Sequence, residues 1–342
     1  SYIAAKLTGN YVIDQFLAKS SFSPMYDTDG HIREEECSII CRPDQMARAM
    51  YVHEIAGTVT AKAALETGLK EGTPVICGTG DSTSEAISVG ITVPGKLMFQ
   101  FGSSLFFYYC ADRLIYDHRV YGNHFTVPGT FSISGGTNTA GTLTRWMRDT
   151  LYFDLLEEQK ETGVEPYELM MERIRNIPAG SDGLVILPYF AGERCPINDA
   201  NAKGMFFGLT LEHTRDHIYR AALEGIAYCI HQNIQVLEGL GLQVNELIAV
   251  GGGTKNPVWM QIVADVIQKP VCIPKISIGA SYGEAMMAAL GIGDLKDFQD
   301  LSEKIEPDQR ILPNPENAAV YNKLYKIYDE LYQHTKDLMH QL

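Results

Sequence analysis

Glu246-Leu247-Ile248-Ala249-Val250-Gly251-Gly252-Gly253-Thr254-Lys255-Asn256-Pro257 packs a strand, a glycine turn and a helix start into one stretch. The apolar run before Gly251 reads as a buried strand. Asn256 is an N-cap residue. Pro257 at the first helical position brings the φ a helix needs and lacks only an N–H that would go unpaired there. The helix then runs to about residue 267. Three glycines exceed what a simple strand-to-helix turn requires. Close approach of the backbone to a nucleotide explains them, and a flexible turn is the competing explanation. The run is neither GxxxxGK[ST] nor GxGxxG, so it is not a Walker loop or a dinucleotide fingerprint.

On both sides of this stretch helices and strands alternate, the pattern of an α/β fold. Downstream come a strand at 271–273, a helix at 282–290 and a long C-terminal helix. One face of that last helix carries Val320, Leu324, Ile327 and Leu331, widened by Tyr321, Tyr325, Tyr328 and Tyr332. Such a tyrosine stripe is expected to pack rather than bind. Upstream, 217–240 reads as a long helix, 184–187 as a buried strand and 141–152 as a helix, with a polar segment between the last two. Strands are expected at 96–101, 105–110 and 130–134, and helices at 61–69 and 82–89. Residues 1–9 read as the last turns of a helix stopped by Gly9, so the chain is expected to begin partway through a longer protein. A domain boundary is expected near Val93-Pro94-Gly95.

The chain has 342 residues, enough for about two domains. Hydrophobic residues make up 45% and charged residues 20%, which excludes disordered and fibrous classes. Against 28 Lys and Arg stand 42 Asp and Glu, a formal net charge of −14. That balance argues against a nucleic-acid or anionic-membrane partner but not against a phosphate ligand, which backbone N–H groups alone can hold. The seven cysteines include no CxxC pair, so reduced thiols are expected rather than disulfides or a zinc ribbon. No signal-peptide pattern and no apolar run of membrane-spanning length occurs, and a soluble cytoplasmic protein is expected.

Two further segments carry possible chemistry. Gly78-Thr79-Gly80-Asp81-Ser82-Thr83 follows an apolar strand and opens a helix, the place where ligands sit in open α/β sheets. A carboxylate there can take a proton from a bound hydroxyl; the alternative is an N-cap aspartate. Phe101-Gly102-Ser103-Ser104-Leu105 is a strand–turn–strand whose hydroxyls and N–H groups suit a phosphate, although Gly-Ser turns are commonplace. Two other patterns are set aside. Gly279-Ala280-Ser281-Tyr282-Gly283, with Asp294 and His334 downstream, matches GxSxG but lacks the preceding strand and the oxyanion loop of a hydrolase. His213 and His217 lie four apart without the Glu of HExxH, and a helix-start polar cluster explains them better than a metal.

Together these segments resemble the FGGY family of carbohydrate kinases. The most specific likeness runs from Gly204-Met205-Phe206-Phe207-Gly208-Leu209, across seven residues, to His217-Ile218-Tyr219-Arg220-Ala221-Ala222-Leu223-Glu224. Phe190-Ala191-Gly192-Glu193-Arg194-Cys195-Pro196, the Ala249–Pro257 run, 279–291, Gly80-Asp81, Phe101 to Ser104 and Ala140-Gly141-Thr142-Leu143-Thr144-Arg145-Trp146 follow in the family's order. The likeness spans nearly the whole chain, and the Gly-Glu-Arg-Cys-Pro wording is most similar to the branch that acts on xylulose.

The resemblance implies an α/β fold of the actin-like, hexokinase-like (ribonuclease H-like) type, with the second domain complete and the first partial. Residues 1–92 would be the remainder of a sugar-binding domain and 93–342 the nucleotide-binding domain. It implies transfer of the γ-phosphoryl group of ATP, with Mg2+, to a sugar hydroxyl, a pentulose such as D-xylulose being favoured. Kinases of gluconate, glycerol or another polyol, and a non-catalytic actin-like nucleotide module, are the alternatives. By the same resemblance Asp81 is the catalytic base. Gly102, Ser103 and Ser104 match a phosphate motif, Gly141 and Arg145 line the nucleotide, Gly251, Gly252 and Gly253 form the phosphate and adenosine turn, and Asn256 contacts adenine. The family usually has Thr where this chain has Ser103, and a hydroxyl remains. The family's first phosphate motif, Asp-x-Gly-Thr, is absent, so the chain alone is expected to be inactive.

Overall fold

A computed structural model describes residues 1–342, which divide into two compact units. Unit 1 comprises Ser1–Lys96, Tyr108–Ser134 and Lys275–Glu306, and unit 2 comprises Leu97–Phe107, Gly135–Pro274 and Pro307–Leu342.

Unit 2 is built on a mixed sheet. Its strands lie in the order Pro307–Ile311, Val271–Pro274, Leu247–Val250, Leu97–Phe101, Leu105–Ala111 and Phe131–Thr137. Leu247–Val250 pairs parallel with both Leu97–Phe101 and Val271–Pro274, and all four of its residues are buried. Burial on both faces is why this segment is a continuous apolar run rather than an alternating one. The edge strand Pro307–Ile311 pairs antiparallel and is almost wholly exposed. It buries no face, so its sequence carries no strand pattern. The far halves of the last two strands continue into unit 1, where Tyr121–His124 pairs antiparallel with Phe131–Ser134.

The 25-residue helix Arg215–Gly239 runs through the core of unit 2, against the helices Gly141–Leu151, Pro166–Ile174 and Pro257–Ile267. Its buried residues include an ion pair, Arg220 to Glu224 at 3.1 Å. Glu224 also accepts from the Gly180 N–H at 2.9 Å, the Ser181 hydroxyl at 2.8 Å and the Tyr321 hydroxyl at 3.0 Å. Burial pushes its carboxyl up, while Arg220 and these donors pull it back. The tyrosine stripe on Ala318–Met339 packs as expected, and each hydroxyl has a partner. Tyr321 reaches Glu224, Tyr328 reaches Tyr189, Tyr332 reaches Asp199 and Tyr325 reaches Gln235. The polar segment after residue 152 is not irregular: it folds into the helices Phe153–Thr162 and Pro166–Ile174.

Unit 1 contains the helix Tyr2–Thr8, ended by Gly9 at φ 78° as its sequence predicts. Its helices Asp81–Ser88 and Ala280–Ile292 pack closely, and Ile87, Met286, Met287 and Leu301 form an apolar cluster with Val52. Gly283 is required at their crossing, because a Cβ there would overlap the Ser84 carbonyl. Ser281 lies in the first turn of the second helix, not on a strand-to-helix elbow. His217 closes a capping box with Thr214, whose N–H donates to His217 Nδ1 at 3.2 Å, and no metal is needed to explain it. All seven cysteines are free, and no helix is long and apolar enough to cross a membrane.

Candidate nucleotide site and the Asp81 loop

A cavity of about 650 Å³ opens in unit 2. Gly102 and Ser103 reach it from the turn between two strands, Gly141 and Arg145 from the start of one helix, and Gly252, Gly253 and Asn256 from the glycine turn. Three segments well apart in sequence, the outermost separated by about 150 residues, thus share one wall. Ser104 and Gly251 stand outside the lining.

The wall is held by backbone hydrogen bonds. The Gly141 N–H donates to the Gly102 carbonyl at 3.0 Å, and the Thr142 N–H donates to that of Ser103 at 3.0 Å. The first-turn donors of the Gly141–Leu151 helix are therefore spent on the neighbouring turn. A Cβ on Gly141 would lie 2.6 Å from the Gly102 carbonyl oxygen, so only glycine allows this approach.

The three consecutive glycines do different things. Gly251 has φ 92°, and a Cβ there would lie 2.8 Å from the Phe101 carbonyl oxygen. At Gly253 a Cβ would come within 2.8 Å of both Phe101 and Trp259. Gly252 faces open space, with nothing within 4 Å of its Cβ position. Only this middle glycine leaves room on the cavity side. Asn256 Oδ1 accepts from the Trp259 N–H at 3.0 Å, which is the expected N-cap.

Sequence reasoning missed part of the lining. Glu165, Tyr167, Glu168 and Met171 enter from Pro166–Ile174 and the residue before it, and Tyr219, Lys255 and Trp259 add to them. Pro166 at the first helical position, followed by Met170 and Ile174 four apart and buried, was the available signal.

The turn ahead of Gly141 rests on a buried carboxylate. Glu193 Oε1 accepts from the Asn138 N–H at 2.9 Å and the Arg194 N–H at 2.7 Å. Burial pushes the Glu193 carboxyl up to about 7, and these two N–H groups only partly offset it. A carboxyl raised in the folded state stabilises fully below its unfolded value, and that contribution is lost as pH rises through the folded value. Glu193→Gln keeps an acceptor oxygen and does not ionise. Between pH 4.5 and 7.5 its stability relative to the parent is expected to rise by roughly 3 kcal/mol. Denaturant midpoints of the two proteins at several pH values check this, and parallel pH curves would refute it.

Asp81 belongs to unit 1. It is the first residue of the Asp81–Ser88 helix, whose N-cap is Gly80, so the N-cap alternative for Asp81 is not what the structure has. Its carboxylate is exposed and accepts from the Ser82 N–H at 2.7 Å. No cluster of metal ligands lies in unit 2; the one grouping found, Asp27, Asp29 and His31, is largely exposed and lies in unit 1.

A glycine-lined cavity at the strand ends and helix starts of an α/β sheet is the place where ligands bind in proteins of this class. The FGGY family of carbohydrate kinases, C-terminal domain, matches residues 97–292, more than half of the chain. The chain belongs to the FGGY family of carbohydrate kinases. It is similar to xylulose kinase from Staphylococcus epidermidis, 30% identical over 289 residues, which are 84% of this chain and 56% of the relative. It is also similar to gluconokinase from Bacillus subtilis, 29% identical over 336 residues, 96% of this chain and 65% of the relative. The crystal structure of xylulose kinase from Rhodospirillum rubrum superposes with a TM-score of 0.87 at 33% identity, covering 99% of this chain and 67% of that one. The fold is accordingly of the actin-like, hexokinase-like type. The chain spans 56% of the length of that xylulose kinase relative and 65% of the gluconokinase.

Proposed function

We propose that this chain works in ATP-dependent phosphorylation of a sugar hydroxyl, with a pentulose such as D-xylulose as acceptor, in the cytoplasm. The observation that carries the reading is the meeting of Gly102, Gly141, Gly252 and Asn256 around one cavity. In this reading Gly102, Ser103 and Ser104 meet the phosphates, Gly251 to Gly253 the phosphate and adenosine, Asn256 the adenine, and Gly141 and Arg145 the rest of the nucleotide. Residues 1–92 belong to a sugar-binding domain and 93–342 to a nucleotide-binding one. Asp81 takes the proton of the acceptor hydroxyl as its oxygen attacks the γ-phosphorus and ADP leaves. Magnesium enters with the substrate as MgATP, most of its ligands being phosphate oxygens and water.

Phosphoryl transfer needs positioning and charge compensation more than covalent chemistry, so one base and a set of backbone donors are adequate machinery. The test is sugar-dependent ADP release by the complete gene product with D-xylulose, L-ribulose, gluconate and glycerol. D-xylulose is expected to give the highest kcat/KM. A gluconate preference would move the acceptor, and no turnover with nucleotide binding intact would favour a non-catalytic module. The nucleotide site is tested separately on the 342-residue chain. Gly252→Val points into open space, so it is expected to change stability by no more than about 0.5 kcal/mol. It should weaken MgADP about 10-fold in calorimetry, a loss of about 1.4 kcal/mol. Gly253→Val, which overlaps Phe101 and Trp259, should cost about 1–3 kcal/mol of stability.

A further inference from the structure

We infer that Glu284 is a positioning residue for Asp81, a clamp that holds both sides of its loop from another helix. The inference rests on the reading of Asp81 as the base. Glu284 sits on Ala280–Ile292, next to the Gly283 that lets this helix touch the Asp81–Ser88 helix. Its Oε1 accepts from the Thr79 N–H at 3.1 Å and from the Ser84 hydroxyl at 2.6 Å, across 205 and 200 residues of sequence. One oxygen therefore ties the residue two before Asp81 to the residue three after it. Its Oε2 lies against Gly78, at φ 67°, where a Cβ would come within 2.8 Å of the carboxylate.

The clamp supplies what the loop lacks. Gly80 has no side chain with which to cap the Asp81–Ser88 helix, and the Asp81 carboxylate itself is exposed, holding only the N–H of its neighbour Ser82. A base has to sit within hydrogen-bonding reach of the proton it takes, and a displacement of about 1 Å can cost a large factor in rate. Glu284 holds the Thr79 backbone before Asp81 and the Ser84 side chain after it without touching the Asp81 carboxylate, so its contribution falls on the chemical step rather than on nucleotide affinity.

The test compares Glu284→Ala, Glu284→Gln and Asp81→Asn in the complete gene product. It reads kcat and KM for ATP together with amide hydrogen exchange in the peptide covering 77–84. Glu284→Ala is expected to lower kcat about 10- to 100-fold, leave KM for ATP within about twofold, and speed exchange at Thr79. Glu284→Gln is expected to restore kcat to within about threefold, because its amide oxygen can accept both donors. Asp81→Asn should lower kcat without faster exchange. If Glu284→Ala leaves kcat and exchange unchanged while Asp81→Asn abolishes turnover, the clamp is overturned and the base reading stands. If Asp81→Asn turns over at the parental rate, the base reading fails, and the exchange data still decide whether Glu284 holds the loop. Should Glu284→Ala not be recovered folded, Glu284→Asp, one methylene too short to span both donors, serves with the same expected outcomes.

Discussion

Asp81→Asn in the complete gene product is expected to lower kcat by about 10²-fold or more, with the affinity for MgADP within about twofold of the parent. The substitution keeps size and shape and removes the proton acceptor, and loss of a general base costs about 10²–10⁴ in rate. Nucleotide affinity should hold because Asp81 is not among the residues that line the cavity. Stability should also hold, since the exposed carboxylate accepts only from the adjacent Ser82 N–H. Steady-state ADP release and calorimetry check the two halves separately. Parental turnover would remove Asp81 from the mechanism, and a parallel loss of nucleotide affinity would mean that it acts through binding.

Glu224→Ala is expected to lower stability by about 3–5 kcal/mol, the cost of stranding one member of a buried ion pair. The Arg220 guanidinium would stay buried and lose its carboxylate partner. The Gly180 N–H and the Ser181 and Tyr321 hydroxyls would lose their acceptor at the same time. Glu224→Gln retains an acceptor oxygen and should cost less than the alanine. Replacing both partners, Arg220→Met with Glu224→Leu, should cost less than Glu224→Ala alone, because no buried charge is left over. Urea midpoints of the four proteins test the ordering. A double variant less stable than Glu224→Ala would show that the pair contributes more than mutual compensation.

Much of the fold was legible because neighbouring residues dictate it. Asn256 and Pro257 start a helix wherever they fall ahead of an apolar periodic run, and Gly9 ends one by taking φ 78°. Leu247–Val250 announced itself because a strand buried on both faces must be apolar throughout. The edge strand Pro307–Ile311 was illegible because it buries nothing and is held by pairing alone. The helix Pro166–Ile174 is hard to read from sequence because Glu168, Glu172 and Arg173 interrupt its short apolar run, although its Met170 and Ile174 are fully buried.

For the candidate site, local sequence determined that glycines and hydroxyls crowd the strand ends and helix starts, the places where backbone donors are available. It did not distinguish Gly251, Gly252 and Gly253, because their differences lie in what each Cβ would meet: the Phe101 carbonyl, open space, or Phe101 and Trp259. Nor did it reveal that Tyr167 and Glu168 join the cavity, or that Glu284 reaches back across 205 residues to Thr79. Caps, turns and periodicity are contacts within a turn or two of chain, so the order of residues alone determined them. The emptiness beside Gly252 and the grip on the Asp81 loop are contacts between segments far apart in sequence, and only the packing of strands and helices decided which atoms would meet.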